Sequence, residues 1–332
     1  MMSVTYRPFD FHAEDIKPLF DLMEKTYAVP VNQVRWKWEY LQNPRSPGIK
    51  IFVAESGGRV IASTTRLPLS MKAGADRFDA FFSVDSVVDP AFRRMGIMTG
   101  LYRHTARIMP VLYSKGTNPG MYDLLMKFGY RVVQPNTYMV NYLAPVKYLL
   151  GKLKLHAPPE PLPMAVDPSE EILPVKRFGK EYDEFWERVA KLYTGIVVKD
   201  SAYMNWRYVD IPHMEYQAFY RKVRDKIVST LVLRGNGTAG FIVDILWDPE
   251  EAAEPSKTIE FAKRYFKKRG FIKLSCWGTH EKLRKSLKES FFHDIGGTLR
   301  FSVHADPQRI DRFADGRLIH FVDGDGDSEF CG

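Results

Sequence analysis

Val88-Asp-Pro-Ala-Phe-Arg-Arg-Met-Gly-Ile-Met-Thr99 is the stretch on which the reading of this chain turns. An apolar strand ends at Pro90, a basic turn follows, and Gly96 opens a helix with Ile97, Leu101 and Ile108 on its apolar side. Backbone N–H groups at a helix start lack partners and lie at the positive end of the macrodipole. Such a site suits a pyrophosphate, because glycine lets the backbone come close to the oxygens. Arg93 and Arg94 add charge at its mouth. Taken alone, the same pattern fits a plain strand–turn–helix link with solvated arginines.

Around this stretch, residues 1–143 read as alternating strands and helices. Residues 16–27 carry Ile16, Leu19, Phe20 and Met23 at helical spacing. Residues 51–55 and 59–65 flank Ser56-Gly57-Gly58 as a hairpin, and residues 78–88 form a third strand. A helix over 96–109, a short strand at 111–114, a helix over 121–128 closing on Gly129, and an extended stretch to Leu143 complete this half. Residues 144–170 change character. A short basic, leucine-rich helix at 144–155 precedes five prolines between Pro158 and Pro168, which make a stiff linker. The helix reads as packed on its own domain, in preference to lying on a membrane.

The second half repeats the first weakly. Trp38-Glu-Tyr40-x-x-x-Pro44 returns as Trp206-Arg-Tyr208-x-x-x-Pro212, and Val88-Asp89-Pro90 returns as Trp247-Asp248-Pro249. Helices over 258–268 and 281–291 alternate with strands at 272–277 and 298–303, in the order of the first half. Glu250, Glu251 and Glu254 stand where the first copy has arginines and glycine, so the second copy is expected to bind no pyrophosphate. Trp206 is expected to be a buried structural residue.

The Val88–Ile97 pattern resembles the acyl-CoA signature of the GNAT superfamily, Q/R-x-x-G-x-G/A, with Met98 where glycine or alanine is usual. The hairpin before it, and Asn118 followed by Lys127-Phe-Gly129-Tyr130, are similar to the family's other segments in the same order. The resemblance covers about residues 3–143. It implies an α/β fold of two tandem GNAT-like domains, each a mixed, mostly antiparallel twisted sheet flanked by helices. The domains fall at 1–143 and 171–315, with a linker at 144–170 and an acidic tail at 316–332. It also implies acetyl-CoA, or another acyl-CoA, as co-substrate. Val87 and Val88 would offer main-chain groups to the pantetheine arm and polarise the thioester carbonyl; Arg93, Arg94, Met95, Gly96, Ile97, Met98 and Thr99 would cradle the pyrophosphate; Asn118 would lie near the pantetheine. Asp85 reads either as the general base or as a solvated strand carboxylate. The family's tyrosine acid falls at Leu125 here, with Tyr122 one turn earlier as a substitute. The two-copy plan also resembles polysaccharide-linked and Fem-type proteins. The implied reaction is N-acyl transfer to a primary amine of a small molecule, an amino-sugar precursor among the candidates. The alternatives are an aminoacyltransferase using charged tRNA and a silent acyl-CoA-binding protein.

Composition narrows the classes further. The 332 residues are 45% hydrophobic and 27% charged, which excludes wholesale disorder. Forty-eight Lys and Arg against forty Asp and Glu give a net charge of +8, suited to an anionic partner. No apolar run is long enough for a transmembrane helix, no secretion signal opens the chain, and Cys276 and Cys331 are far apart. A cytoplasmic protein is expected. No metal site is expected, since no histidine or cysteine shows ligand spacing. A nucleic-acid partner is not expected, and the oligomeric state is open. Gly235-x-Gly237-x-x-Gly240 precedes a strand, so it reads as a hairpin turn. Asp323-Gly-Asp325-Gly-Asp327-Ser-Glu329 reads as a solvated acidic tail.

Overall fold

The computed structural model describes residues 3–73, 76–106, 111–116, 119–133, 138–153, 172–251, 254–296, 301–305 and 319–326. The first half runs β1 (Thr5–Phe9), α1 (Lys17–Tyr27), α2 (Gln33–Tyr40), β2 (Lys50–Ser56), β3 (Arg59–Ala73) and β4 (Asp76–Val88). It continues with α3 (Ile97–Ala106), β5 (Val111–Lys115), α4 (Pro119–Lys127), β6 (Arg131–Val132) and β7 (Tyr138–Asn141). After α5 (Pro145–Lys152), the second half opens with β8 (Ile172–Val175), α6 (Lys180–Val189), β9 (Gly195–Val197) and α7 (Ser201–Met204). Next come β10 (Gln217–Val223), β11 (Lys226–Asn236), β12 (Ala239–Trp247), α8 (Ser256–Lys268) and β13 (Lys273–Trp277). The half ends with α9 (Glu281–Glu289), β14 (His293–Asp294), β15 (Phe301–Ala305) and β16 (Ile319–His320).

Two sheets of mixed sense result. The first runs β1-β2-β3-β4-β5-β15-β6 and the second β8-β10-β11-β12-β13-β7-β14. Along these seven-strand paths they match position by position, down to the parallel pairing of β4 with β5 and of β12 with β13, while the first sheet carries β9 and β16 in addition, joined through β3. The repeat read from the sequence is therefore a structural duplication. One feature departs from the expectation. Strand β7, from the first half, pairs with β13, while β15, from the second half, pairs with β5. Sheet membership does not follow a cut at residue 143, because the first half lends β7 to the second sheet and the second half lends β9, β15 and β16 to the first.

The shared motif sits where the halves meet. Trp38 and Trp206 stack with ring centroids 4.8 Å apart and planes 14° from parallel. Each indole N–H donates to the other's backbone carbonyl, at 2.8 and 3.0 Å. That reciprocity is a local pseudo-twofold axis, and it explains why Trp-x-Tyr recurs: both copies must fill the same central contact. Trp206 is buried, as expected.

On β2 the side chains alternate, as a pleated strand requires. Ile51 and Val53 face a core continuous across both halves, while Phe52 and Ala54 face a smaller core with Leu101 and Tyr102 of α3. Gly235–Gly240 forms the β11–β12 turn, as read from the sequence.

Burial overturns one expectation and limits another. The acidic segment is not solvated over its described part. Ile319–His320 pairs with β9, and Asp323 and Asp325 are buried. Lys115 Nζ donates to both the backbone and the carboxylate of Asp323 at 2.6 Å, and Lys199 Nζ lies 3.0 Å from Asp325. Gly324 is required there, since a β-carbon would run into the Tyr208 hydroxyl. Residues 327–332 lie outside the described residues. Helix α5, expected to pack on its domain, does so on one side only: Tyr148, Leu150 and Gly151 are half-buried, and none of its residues is fully buried. No helix among the described residues is long and apolar enough to cross a membrane.

Candidate active site

Strand β4 positions the site. Its far end delivers Asp89, whose backbone N–H donates to Ile61 and whose carboxylate accepts from Ala91 N–H at 3.0 Å. Burial alone would raise this carboxyl, but Lys25 at 2.8 Å, the Ala91 N–H and Arg59 hold it below its ordinary value. Asp89 thus stays charged and pins the turn that follows. Arg93 is extended, and Arg94 and Gly96 take positive φ of 65° and 76° before α3 begins. Gly96 meets no neighbour that would exclude a side chain, so its conformation is what calls for glycine.

This turn and two helices enclose a cleft of about 400 Å³. Val88 and Phe92 close one side; Arg93, Arg94 and Gly96 form the rim; Ile97, Met98 and Thr99 open α3. Gly120, Asp123, Leu124 and Lys127 of α4 form the far wall. Three cations face one carboxylate, and Arg93 and Arg94 make no ion pair with a described residue. The arrangement fits an extended anion bearing several phosphate charges at a helix start. Of the residues expected here, Val87 turns its side chain into the core and Met95 is exposed without lining the cleft. Met98 packs against the smaller core as well as lining the cleft. Asn118 lies outside the described residues.

Three residues back along the same strand, Asp85 lines a second cleft of about 260 Å³. At about 3.3 Å per residue, Asp85 and Val88 are roughly 10 Å apart along β4. Asp85 sits on a β-bulge, where Ser63 pairs with Val87 and Thr65 with Val84. Its φ is 45°, a left-handed conformation that aspartate tolerates better than most residues. Strain of this kind at a bulge is a mark of a site. The Tyr40 hydroxyl donates to Asp85 Oδ2 at 2.6 Å and shares a 3.0 Å hydrogen bond with Thr65 Oγ1. Burial, and then the Asp85 and Glu39 carboxylates, push the Tyr40 phenol well above its ordinary pKa, so it stays protonated.

The cleft's other walls come from α1, the turn after it, and α2: Met23, Tyr27, Val29, Pro30, Val31 and Trp36. Glu39 and Arg35, 3.4 Å apart, add a charged pair. His213 arrives from the second half, its imidazole lowered to about 4 by burial, Arg35 and Arg207. Tyr122, on α4, lines neither cleft, and Leu125 is fully buried in the smaller core. Sequence reasoning missed Tyr40, Glu39, Arg35 and Lys127 as site residues. The Trp-x-Tyr repeat had marked Tyr40, but a repeat by itself carries no chemistry.

The second copy shows what the first could have become. Tyr208 donates to Asp244 at 2.7 Å, as Tyr40 does to Asp85. There, however, Lys199 at 2.7 Å and Asp325 close the pocket into a buried ion cluster. Burial works against the Lys199 ammonium, but the two carboxylates outweigh it and raise its pKa. At the position of the pyrophosphate turn, Glu254 is buried against Arg221 and Thr258, and Lys282 ties up the carbonyls of Pro249 and Glu251.

Residues 6–133 match the family described as acetyltransferase (GNAT) domain. No curated protein matches the chain by sequence. A GCN5-related N-acetyltransferase from Anabaena variabilis has a similar structure, with a TM-score of 0.61 at 14% identity, over 91% of this chain and 72% of that one. So has a probable N-acyltransferase from Enterococcus faecalis, with a TM-score of 0.60 at 10% identity, over 91% and 73%. Saccharomyces cerevisiae N-myristoyltransferase with bound myristoyl-CoA gives 0.56 at 11% identity, over 91% and 79%. Residues 6–133 thus carry the GNAT domain match, and the fold of these solved structures is shared across both halves of the chain.

Proposed function

We propose that this protein transfers an acyl group, acetyl in the simplest case, from an acyl-CoA to a primary amine held beside Asp85. The observation that carries the proposal is a single strand serving two clefts: Val88 at the cationic one and Asp85 at the aromatic one. Arg93, Arg94, Lys127 and the backbone around Gly96 would hold the diphosphate of an acyl-CoA. That co-substrate supplies the thioester carbonyl to be attacked.

The chain's own part is then positioning and proton removal. Asp85 accepts a proton from the incoming ammonium, and Tyr40 fixes the carboxylate so that one oxygen faces the cleft. Tyr122 is given no part. A thiol with a pKa near ~8.5 leaves as thiolate without a dedicated acid, so Leu125 in the place of a tyrosine does not disable the reaction. In the second copy, the Arg221–Glu254 pair fills the corresponding turn, which supports one donor site per chain.

The walls around Asp85 also bear on the acceptor. Six of the eleven lining residues are apolar or aromatic, with Asn32 and the neutral His213 among the others, so an amine on an apolar or aromatic body with a polar group or two fits the cleft. The test is thiol release from acetyl-CoA over a panel of aryl-alkyl amines, alkyl amines and amino sugars. Turnover with the first two classes is expected. Bound CoA with no amine-dependent thiol release from any class would overturn the proposal.

A further inference from the structure

The geometry points to a membrane-docking face built from α5 and the neighbouring end of the second sheet, fitted to a bilayer carrying anionic phospholipid. Helix α5 has no buried residue, and Val146, Leu149 and Leu153 on it and at its end are 70%, 58% and 57% exposed. At 100° per residue these three fall within an arc of about 60°. Tyr148 and Gly151, both half-buried, lie on the opposite side, toward the protein, and Leu150, also half-buried, sits at the edge of the arc. Lys147 and Lys152 flank the apolar arc. An apolar stripe turned outward between lysines is the pattern of a helix lying in a lipid interface.

A second segment extends the face. Phe291 is 73% exposed and is held at a φ of 65°, a conformation a bulky aromatic rarely adopts. Phe291 and Val146 are the two most exposed large apolar side chains among those described. The Asn141 amide, at the end of the strand leading into α5, donates to the backbone carbonyls of Ser290 and Phe291 at 3.1 and 3.0 Å. Ile295, 55% exposed, donates its N–H to Tyr138 of that same strand.

Charge identifies the occupant. Residues 256–296 hold eleven Lys and Arg against four Asp and Glu, which accounts for most of the chain's excess of +8. The exposed Lys267 and Lys268 close α8, and Ile272, just beyond, accepts the Ala144 N–H at the start of α5 at 3.2 Å. Exposed apolar side chains flanked by Lys147 and Lys152, with Lys267 and Lys268 on the segment that meets the start of α5, match anionic headgroups over acyl chains, whereas a second copy of the chain would bring the same positive face against itself.

The test is co-sedimentation of the whole protein with phosphatidylcholine vesicles, with and without phosphatidylserine. Binding to the anionic vesicles alone, weakened by salt, is expected. Lys147→Gln with Lys152→Gln should weaken it about twenty-five-fold, at about fivefold per lysine near a charged surface. Val146→Ser, Leu149→Ser and Leu153→Ser together should abolish it, whereas Leu192→Ser, an exposed leucine elsewhere, should change nothing. All these side chains are exposed, so melting temperature should hold and misfolding is readily recognised. No binding, equal binding to neutral vesicles, or full binding by the triple serine variant would overturn the inference. So would a concentration-dependent dimer in sedimentation velocity that the triple variant abolishes, since that would assign the face to self-association.

Discussion

Replacing Asp85 separates a catalytic carboxylate from a structural one, because the structure gives three substitutions different costs. Asp85→Asn keeps a residue that tolerates positive φ and leaves an oxygen to accept the Tyr40 hydroxyl at its present 2.6 Å. Its stability should stay within about 0.5 kcal/mol of the parent. Asp85→Gly relieves the left-handed backbone, and Tyr40 keeps Thr65 Oγ1 at 3.0 Å, so no buried hydroxyl is orphaned. Asp85→Ala has neither advantage and should be less stable than the glycine variant by about 1–2 kcal/mol. Turnover should ignore these differences. All three variants lack a proton acceptor, so each should fall by roughly 10²–10⁴-fold, equivalent to about 3–5 kcal/mol of barrier. Thiol release with the best amine of the panel measures the first quantity, and urea unfolding the second. Turnover by Asp85→Asn within about threefold of the parent would refute the general-base assignment. Equal and large stability losses in all three would make Asp85 a structural carboxylate.

Other perturbations test the scaffold. Lys199→Met leaves Asp244 and Asp325 buried without their cation and should cost about 3–5 kcal/mol near neutral pH in urea unfolding. Burial raises the Asp325 carboxyl, so the penalty should shrink as pH falls and the orphaned acids take up protons; a pH-independent penalty would contradict this. Trp38→Phe and Trp206→Phe each delete one of two equivalent hydrogen bonds. They should lower stability by similar amounts of about 1–2 kcal/mol, and a large inequality would argue against the pseudo-twofold contact. Burial lowers His280 to about 4 and holds His320 well below its ordinary value, so both are neutral in the fold and protonate on unfolding. Stability should therefore be lost as pH falls from about 6.5 toward 4. His280→Asn, which retains an acceptor for the Lys282 N–H at the start of α9, should flatten that decline in urea midpoints taken at several pH values.

What the sequence makes legible is local. Pro90, the two arginines and Gly96 stand within seven residues, and the turn they form needs no distant partner. The hairpin at Gly57-Gly58 and the helix over residues 17–27 are readable for the same reason. The acidic segment is misread because its partners are remote. Asp323 looks solvated until Lys115, 208 residues earlier, is placed beside it. Strands β7 and β15 are visible as strands, but nothing in their composition says which sheet completes itself with which. Helix α5 shows its amphipathic pattern openly, and a pattern does not state whether protein or something else covers the apolar side. The resemblance to the GNAT pattern marks Asp85, three residues before Val88, whereas Tyr40, the residue that orients it, lies 45 positions away and is joined to it only by the fold.

The central claim is that the turn at Arg93–Gly96 holds an acyl-CoA. It is tested most directly by titrating the protein with acetyl-CoA while following melting temperature and heat flow, alongside Gly96→Asp. Ligand at one hundred times its dissociation constant should stabilise the fold by ~2.7 kcal/mol. That stabilisation should vanish in Gly96→Asp, which strains a φ of 76° and sets a carboxylate against the diphosphate, while the second copy, its turn filled by Glu254, should add no further site. Saturable binding of one acetyl-CoA per chain that Gly96→Asp abolishes is the predicted result; no binding, or binding that survives the substitution, would contradict the account.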